Sequence, residues 1–200
     1  MDKSQKTILV TGATGRQGGA DRKSGVDHFE SKFEIENHIR QLNLPATILR
    51  PVVFMENYYI LQVYRGILKG KLNDPVKADK KNQLIATDDI GTYAAYAFEY
   101  PEKMIGMTIE IAGDELTNRE IADIMSQVLG FRVKFEKLPM LIVRLFMGQE
   151  FYQMFKWFNE AGFAADIEAN KHKHPLVQPM KLETWLRREG WDRWNKKGKV

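Results

Sequence analysis

Short apolar runs alternate with longer segments of helical periodicity along this chain of 200 residues. Polar or turn-forming residues flank each short run, and such runs are typical of strands buried in a parallel sheet. The runs that we predict to be strands are residues 7–11, 46–49, 83–86, 108–111 and 131–135. Strands that alternate with helices predict an α/β fold with a mainly parallel sheet.

Between these runs, apolar residues recur every three or four positions, which predicts helices that pack one face on a core. The predicted helices cover residues 28–42, 58–68, 90–100, 118–129, 139–146, 149–161 and 182–189. The segments that we expect to be loops are 52–57, 71–82 and 171–179. Thr117 and Glu120 have the spacing of a capping box, and Gly130 is a suitable stop for the same helix. Trp185 is expected to pack against the body of the protein.

A glycine-rich segment follows the first predicted strand directly. Gly12, Gly15 and Gly18 have the spacing G-x-x-G-x-x-G. Glycines after a first strand allow the backbone to approach a pyrophosphate, whose charge a helix N-terminus stabilises. The segment therefore predicts a dinucleotide-binding turn, with an ordinary glycine-rich turn as the alternative.

The helix that should follow this turn is missing from the pattern. Residues 20–27 are polar and contain Gly25, so a helix starts only at Asp27 or His28, with Asp27 as a candidate N-cap. A phosphate site normally depends on the helix that begins at the turn. The interruption therefore weakens the prediction of a complete nucleotide site.

Composition excludes several classes of protein. The formal net charge is +4 with both signs interspersed, which does not predict a nucleic-acid-binding surface. The chain has no cysteine, so it has neither disulfides nor thiolate chemistry. No apolar run approaches 18 residues and the N-terminus lacks a signal-peptide core, so we expect a cytoplasmic protein that does not enter membranes.

Several blocks together resemble the NmrA-like family of atypical short-chain dehydrogenases/reductases. The matching blocks are residues 11–18, 25–32, 46–51, 54–57 and 86–91. The resemblance covers nearly the whole chain and implies one NAD(P)-binding domain over residues 1–200. It implies a reduced Rossmann core over 1–100 and a small mixed C-terminal lobe over 101–200, hence a truncated Rossmann-type α/β fold.

The resemblance also indicates an internal deletion. In that family, further strand–helix units lie between the glycine turn and the helix that here begins near Asp27. Each such unit takes about 30 residues, so roughly 100 residues are missing after Gly19. The first strand either pairs with the strand at 46–49 through the helix between them, or stays loosely attached. The deletion is either natural or an artefact of the gene sequence.

The family's pattern supplies candidate site residues. His28 and Lys32 occupy the positions of the Tyr-x-x-x-Lys pair of short-chain dehydrogenases, so the proton-donating tyrosine is absent. The resemblance implies a ribose contact for Lys32 and a weak acid–base role for His28, which could also simply start the helix. The implied cofactor-binding residues are Gly12, Thr14, Gly15, Arg16, Gln17, Gly18 and Lys32.

Other residues have open assignments. Arg16 could bind a 2′-phosphate and favour NADP(H) over NAD(H), or it could be a solvated surface side chain. Arg50 is not assigned to the cofactor, because the resemblance places it in a late strand, far from the adenosine end.

Phe54, Met55 and Asn57, with Glu56 between them, match the wall of the substrate pocket in the family, or only pack the next helix. Asp88 and Asp89, after Thr87, are expected to cap the helix over 90–100 rather than to act as an acid–base pair. His172 and His174 suggest a metal only weakly, and we predict no metal site.

Three functions remain open. The first is a non-catalytic regulator that responds to NADP(H) and acts through a protein partner, which the absent tyrosine favours. The second is an NAD(P)H-dependent oxidoreductase acting on a small substrate. The third is a shortened form that binds no nucleotide. The substrate, the partner and the oligomeric state do not follow from the sequence.

Overall fold

The computed structural model describes residues 8–11 and 25–196. The glycine-rich segment at 12–19 therefore lies outside the described residues. The described strands are β1 (Ile8–Thr11), β2 (Ala46–Pro51), β3 (Val53–Phe54), β4 (Lys71–Asp74), β5 (Lys81–Ile85), β6 (Thr108–Ile111), β7 (Asp114–Thr117) and β8 (Lys134–Lys137). The described α-helices are α1 (Asp27–Gln41), α2 (Leu61–Leu68), α3 (Thr87–Glu99), α4 (Pro101–Met104), α5 (Asn118–Leu129), α6 (Met140–Phe146), α7 (Gln149–Glu160), α8 (Ile167–Lys173) and α9 (Leu182–Arg188). Short 3₁₀ helices cover Met55–Tyr59 and Trp191–Lys196.

The strands form parallel pairs with one exception, which confirms the predicted α/β class. The first sheet has the order β1-β2-β6, and both of its pairs are parallel. The second has the order β3-β5-β7, in which β5 and β7 are antiparallel. A third sheet consists of the parallel pair β4-β8.

The β1–α1–β2 unit settles one of the alternatives left by the sequence. Thr11 of β1 is paired with Leu49 of β2, and Ile8 with Ala46. Parallel strands joined by a helix form a βαβ unit. The first strand is therefore paired with β2 through α1, and within the described residues β2 is its sole partner strand.

Two clusters of buried apolar side chains form the core. One surrounds Trp185 and Trp191, which are fully buried, and joins α5 and α9 to β4 and β5. This confirms the predicted packing of Trp185. The other cluster joins α3 to the neighbouring strands β2 and β6 and includes Tyr93 and Ile111. Both clusters take residues from early and late parts of the chain.

Several boundaries differ from the sequence prediction. The expected loop at 71–82 contains β4, the expected loop at 171–179 begins inside α8, and the segment at 52–57 contains β3. β7 was also not predicted, and the predicted strand at 131–135 begins three residues later, at Lys134. These elements are short and carry few apolar residues, so their backbone pairing leaves a weak pattern in the sequence.

Helix ends differ in how they are stabilised. The capping box is confirmed, because Thr117 accepts a hydrogen bond from the Glu120 backbone N–H and Glu120 accepts one from the Thr117 N–H. Gly130 ends α5 in the left-handed conformation, which a residue without Cβ adopts readily. The expected cap at Asp27 is wrong: the N-cap of α1 is Val26, which makes no side-chain capping bond.

Candidate functional site at the carboxyl edge of the strands

The carboxyl ends of β1, β2 and β6 meet at one edge of the first sheet. Thr11 is the last residue of β1 and lies beside Leu49, while Pro51 at the end of β2 lies beside Ile111. Ligands of open α/β sheets bind outside this edge. The predicted cofactor residues Gly12, Thr14, Gly15, Arg16, Gln17 and Gly18 follow β1 immediately and lie outside the described residues.

Helix α1 carries the candidate pair of the short-chain dehydrogenase pattern. Lys32 is exposed on its second turn, and His28 stands one turn earlier in helical backbone. Residues four apart share one face of a helix. The side chain of His28 lies outside the described part, so its role stays a prediction, as does the ribose contact of Lys32.

The start of α1 packs against the C-terminal half of the chain. The Phe29 ring is buried and meets Trp157 of α7 edge to face, with 5.3 Å between ring centroids. No side chain of α7 is fully buried, so this helix covers α1 while remaining partly open to solvent itself. This aromatic contact fixes the helix that carries Lys32.

A buried carboxylate holds the middle of α1 to the sheet. Glu36 is fully buried and accepts hydrogen bonds from Arg50 at 2.9 and 2.6 Å and from Arg40 at 2.8 Å. Arg50 is also 3.8 Å from Glu110. Its guanidinium is thus occupied by carboxylates, consistent with leaving Arg50 out of the cofactor site. The sequence offered no signal for this ion pair, because its members come from separate elements.

The segment at 54–57 leaves the carboxyl end of β3, where Phe54 lies beside Ile85. Phe54 is half-buried and Asn57 is exposed, whereas Met55 is fully buried in the core. Met55 therefore packs the protein interior, and Phe54 and Asn57 are the two predicted pocket residues with exposed surface. A role of these residues in binding a substrate stays a prediction.

Glu56 ties this segment to two distant elements. Its Oε1 accepts hydrogen bonds from the Thr87 backbone N–H at 3.0 Å and from Trp185 Nε1 at 3.2 Å. Oε2 of Glu56 is buried without a hydrogen-bond partner among the described residues. Glu56 thus fixes the carboxyl edge of β3 to the start of α3 and to α9.

Two further carboxylates hold the segment before α9. Asp89 accepts a hydrogen bond from the Met180 N–H at 2.8 Å, and Asp114 accepts one from the Leu182 N–H at 2.9 Å. Burial raises the pKa of Asp89 above its ordinary value. Gly113 lies so close to this segment that a Cβ would be 2.5 Å from the Met180 carbonyl oxygen.

Asp88 and Asp89 lie in the first turn of α3, but the expectation that they cap this helix is wrong. The N-cap of α3 is Ala86, and it makes no side-chain capping bond. Asp89 instead accepts from Met180, and Asp88 is 2.9 Å from Arg188 of α9. The two carboxylates thus attach the C-terminal helix to α3, a contact across about 90 residues that local spacing does not reveal.

Several tyrosines lie near these anchors, but their phenols are poor acids. Burial raises the pKa of Tyr93 to about 12 and also raises those of Tyr58, Tyr59 and Tyr64. Tyr59 donates a hydrogen bond to Glu189. These four tyrosines are on helices other than α1, so none takes the place of the missing tyrosine before Lys32 on that helix.

The histidine pair does not form a cluster. His172 is exposed, whereas His174 is buried against the rings of Tyr93 and Tyr96. Burial, with a smaller effect from Lys173, lowers the pKa of His174. In the described part of the chain, no three histidine, aspartate or glutamate side chains come together as metal ligands.

No helix among the described residues is long and apolar enough to cross a bilayer.

The parallel strands with flanking helices define a Rossmann-type α/β fold, which the superposed solved structures share. The model of the NmrA-like family matches residues 20–186, so the chain belongs to the NmrA-like family. The match begins next to the predicted deletion after Gly19.

Individual relatives are distant. The chain is 26% identical over 132 residues to the photosystem II assembly factor Ycf39 of Trieres chinensis, which is 64% of this chain and 39% of that protein. A nucleoside-diphosphate-sugar epimerase of Staphylococcus aureus superposes with a TM-score of 0.73 at 18% identity, covering 90% of this chain and 64% of the epimerase.

Two cofactor-bound structures share the fold. NmrA, a negative transcriptional regulator in complex with NADP, superposes with a TM-score of 0.64 at 15% identity, covering 98% of this chain and 67% of NmrA. The triphenylmethane reductase of Citrobacter sp., complexed with NADP(H), gives 0.68 at 15% identity, covering 94% of this chain and 66% of the reductase. The chain thus spans about two thirds of the solved structures, and its predicted deletion would account for the difference.

Proposed function

We propose that this chain is a non-catalytic protein that responds to NADP(H) and regulates a protein partner. The observation that carries the proposal is the pair on α1, where Lys32 is exposed while the position one turn earlier holds His28 instead of tyrosine. Lysine contributes a cation for a ribose or phosphate, but hydride transfer also needs a proton donor of suitable pKa. A site with the first group and without the second binds a cofactor without turning it over.

The arrangement of the carboxyl edge supports this proposal. Three described carboxylates near this edge, Glu56, Asp89 and Asp114, are used to attach α3 and the C-terminal segment. A cofactor at this edge would lie beside those attachments, so its binding would change how firmly the C-terminal segment is held. NADP(H) is favoured over NAD(H) because Arg16 lies within the glycine turn.

The experiment is a fluorescence titration of the purified chain with NADPH and with NADH. We expect saturable, sub-millimolar binding of NADPH and weaker binding of NADH. Lys32→Ala should weaken NADPH binding about tenfold, which is about 1.4 kcal/mol. Lys156→Ala, which removes another exposed helical lysine, is the matched control and should leave binding unchanged.

Turnover is tested separately. The chain is incubated with NADPH and a small aldehyde or quinone, and the absorbance of the reduced cofactor is followed. We expect no consumption above that of a protein-free control. Consumption that Lys32→Ala abolishes would contradict the regulatory proposal and favour an NAD(P)H-dependent oxidoreductase.

A shortened protein that binds no nucleotide is the second candidate. The pairing of β1 favours it, because among the described strands β1 is paired with β2 alone, so neighbours that flank a nucleotide site are missing. This candidate predicts no binding of either cofactor at millimolar concentration, and saturable binding of NADPH would contradict it.

A further inference from the structure

An open groove lies between α5 and β8, away from the carboxyl edge described above. It has a volume of about 910 Å³. Its floor is formed by Ala122 and Ser126 of α5 and by Val133, and the partly buried rings of Phe131 and Phe135 contribute apolar surface. The groove therefore combines a helix wall with the side of a strand.

The strand that forms one side of the groove has an unpaired edge. Among the described strands, β8 is paired with β4 alone, and the N–H groups of Lys134 and Leu138 donate to carbonyls on the β4 side, Gly70 and Asp74. Backbone groups of successive residues in a strand point to opposite edges. Those of Phe135 consequently point away from β4.

On the outer edge of β8, only the N–H group just before the strand has a hydrogen-bond partner among the described residues. The Val133 N–H donates to Ser126 Oγ at 2.8 Å, which shows that this edge faces α5. Among the described residues, the outward N–H groups of Phe135 and Lys137 have no hydrogen-bond partner. An unpaired edge next to a groove is a template for an added strand.

The charge of the groove selects among possible strands. Its lining carries four cationic side chains, Arg119, Arg132, Lys134 and Lys137, and one carboxylate, Asp123. Arg119 is paired with Asp79, whereas the other three cations have no ion pair within the described part of the chain. An occupant with carboxylates along its length is therefore favoured electrostatically.

We propose that this groove binds an acidic segment of a partner protein, which adds as a strand to the free edge of β8. The partner's backbone pairs with Phe135 and Lys137. Because side chains alternate along a strand, its carboxylates lie on the face of β8 that carries Lys134, next to Arg132, and its apolar side chains lie on the opposite face with Phe135. This site does not depend on the carboxyl edge, so it stands whether or not the chain binds a cofactor.

The test uses a fluorescein-labelled peptide of alternating glutamate and valine, six residues long, and the full chain, with fluorescence anisotropy as the readout. We expect saturable binding of this peptide and none of a lysine–valine peptide of equal length. The double variant Arg132→Glu/Lys134→Glu should weaken binding at least about tenfold. Lys103→Glu/Lys173→Glu changes the same charge outside the groove and should leave binding unchanged.

Backbone pairing has its own test. Two peptides carry N-methyl groups, one on the glutamate amides and one on the valine amides. Because only one set of amides faces β8, one peptide should lose binding and the other should keep it. Lys137→Pro, which removes an outward N–H without removing a bond to β4, should weaken binding of the unmodified peptide while the circular dichroism spectrum is retained.

Three outcomes would overturn the proposal. The first is equal binding of both N-methylated peptides, which would mean attraction of charge without an added strand. The second is no effect of Arg132→Glu/Lys134→Glu. The third is displacement of the peptide by single-stranded oligothymidylate of the same charge at the same concentration as unlabelled peptide, which would indicate a phosphate-binding surface.

Discussion

Helices α1 and α5 show two ways of fixing a helix in this protein. α5 has a capping box, a left-handed glycine at its end and six buried residues. α1 has no side-chain cap, and among its described side chains only Phe29 and Glu36 are buried. Ile35 of α1 remains 47% exposed.

The difference reflects what surrounds each helix. α5 packs on α9 and the Trp185 cluster, so apolar burial stabilises it. α1 lies beside a three-stranded sheet whose first strand has a single partner among the described residues. Its contacts include the buried ion pair of Glu36 with Arg50 and the ring contacts of Phe29 with α7. The described part of α1 is thus fixed by polar and aromatic contacts, whereas α5 is fixed by the burial of apolar side chains.

Truncating Trp185 should produce the largest loss of folding stability. Its ring is fully buried, lies near Tyr59 and Trp191, and donates a hydrogen bond to Glu56. Trp185→Ala leaves a cavity and removes one of the two hydrogen bonds to Glu56 Oε1, so we expect a loss of about 4 kcal/mol or more in the free energy of unfolding. Urea unfolding measures it, and a loss below about 1 kcal/mol would contradict the central place of this cluster.

Removing Arg50 should destabilise the region around α1 selectively. Arg50→Ala leaves the fully buried Glu36 with only the more exposed Arg40, and we expect a loss of about 3 kcal/mol. Hydrogen exchange should become faster for the amides of α1 while those of α5 keep their protection in local openings. Equal acceleration in both helices would show that the two regions are one cooperative unit.

The pH dependence of stability tests the junction between β4 and α5. Burial raises the pKa of Asp74 from 3.8 to about 6, although the Val76 N–H and Asn118 favour the charged form. The unfolded chain releases this proton first, so the free energy of unfolding falls as pH rises from about 4 to about 6. We expect the free energy of unfolding to fall by about 3 kcal/mol, and the fall to be complete above that window.

Asp74→Asn isolates this effect. Asparagine keeps an acceptor for the Val76 N–H but cannot ionise, so the difference between the two proteins should grow across the same pH window. Chemical unfolding at a series of pH values measures it. A constant difference would mean that Asp74 titrates at the same pH in the folded and unfolded chains.

The smallest expected change in stability comes from removing the N-terminal cap of α5. Thr117→Ala removes the acceptor of the Glu120 N–H and should cost about 1 kcal/mol. Asp27→Ala on α1, where no side-chain cap exists, should cost only a few tenths through the helix dipole. Thermal unfolding of both variants compares them, and equal losses would remove the distinction between the two helix starts.

Local patterns explain which parts of the fold were predictable. β1, β2 and α5 have apolar runs or caps that predict them correctly, whereas the apolar stripe that predicts α1 leaves Ile35 and Leu42 exposed. β4, with the sequence Lys-Leu-Asn-Asp, has one apolar residue, and its pairing with β8 depends on residues about 60 positions away. No local pattern encodes such a pairing.

In the candidate site, too, local patterns were predictable from the sequence and contacts between distant elements were not. His28, Lys32 and the glycine positions were recognisable because their spacing lies within one helix or one turn. The contacts of Glu56 with Trp185 and of Glu36 with Arg50 join separate elements, so only the folded chain brings their partners together. The position of Asp89 predicts a helix cap, but its carboxylate accepts a hydrogen bond from the distant Met180 N–H.

The most direct test of the central proposal is calorimetric titration of the chain with NADPH, followed by recovery of the cofactor. We expect saturable binding, about tenfold weaker for Lys32→Ala, and recovery of the NADPH in reduced form after incubation with a small aldehyde or quinone. The absence of binding heat at millimolar NADPH over a range of temperatures, or recovery of oxidised cofactor, would contradict it.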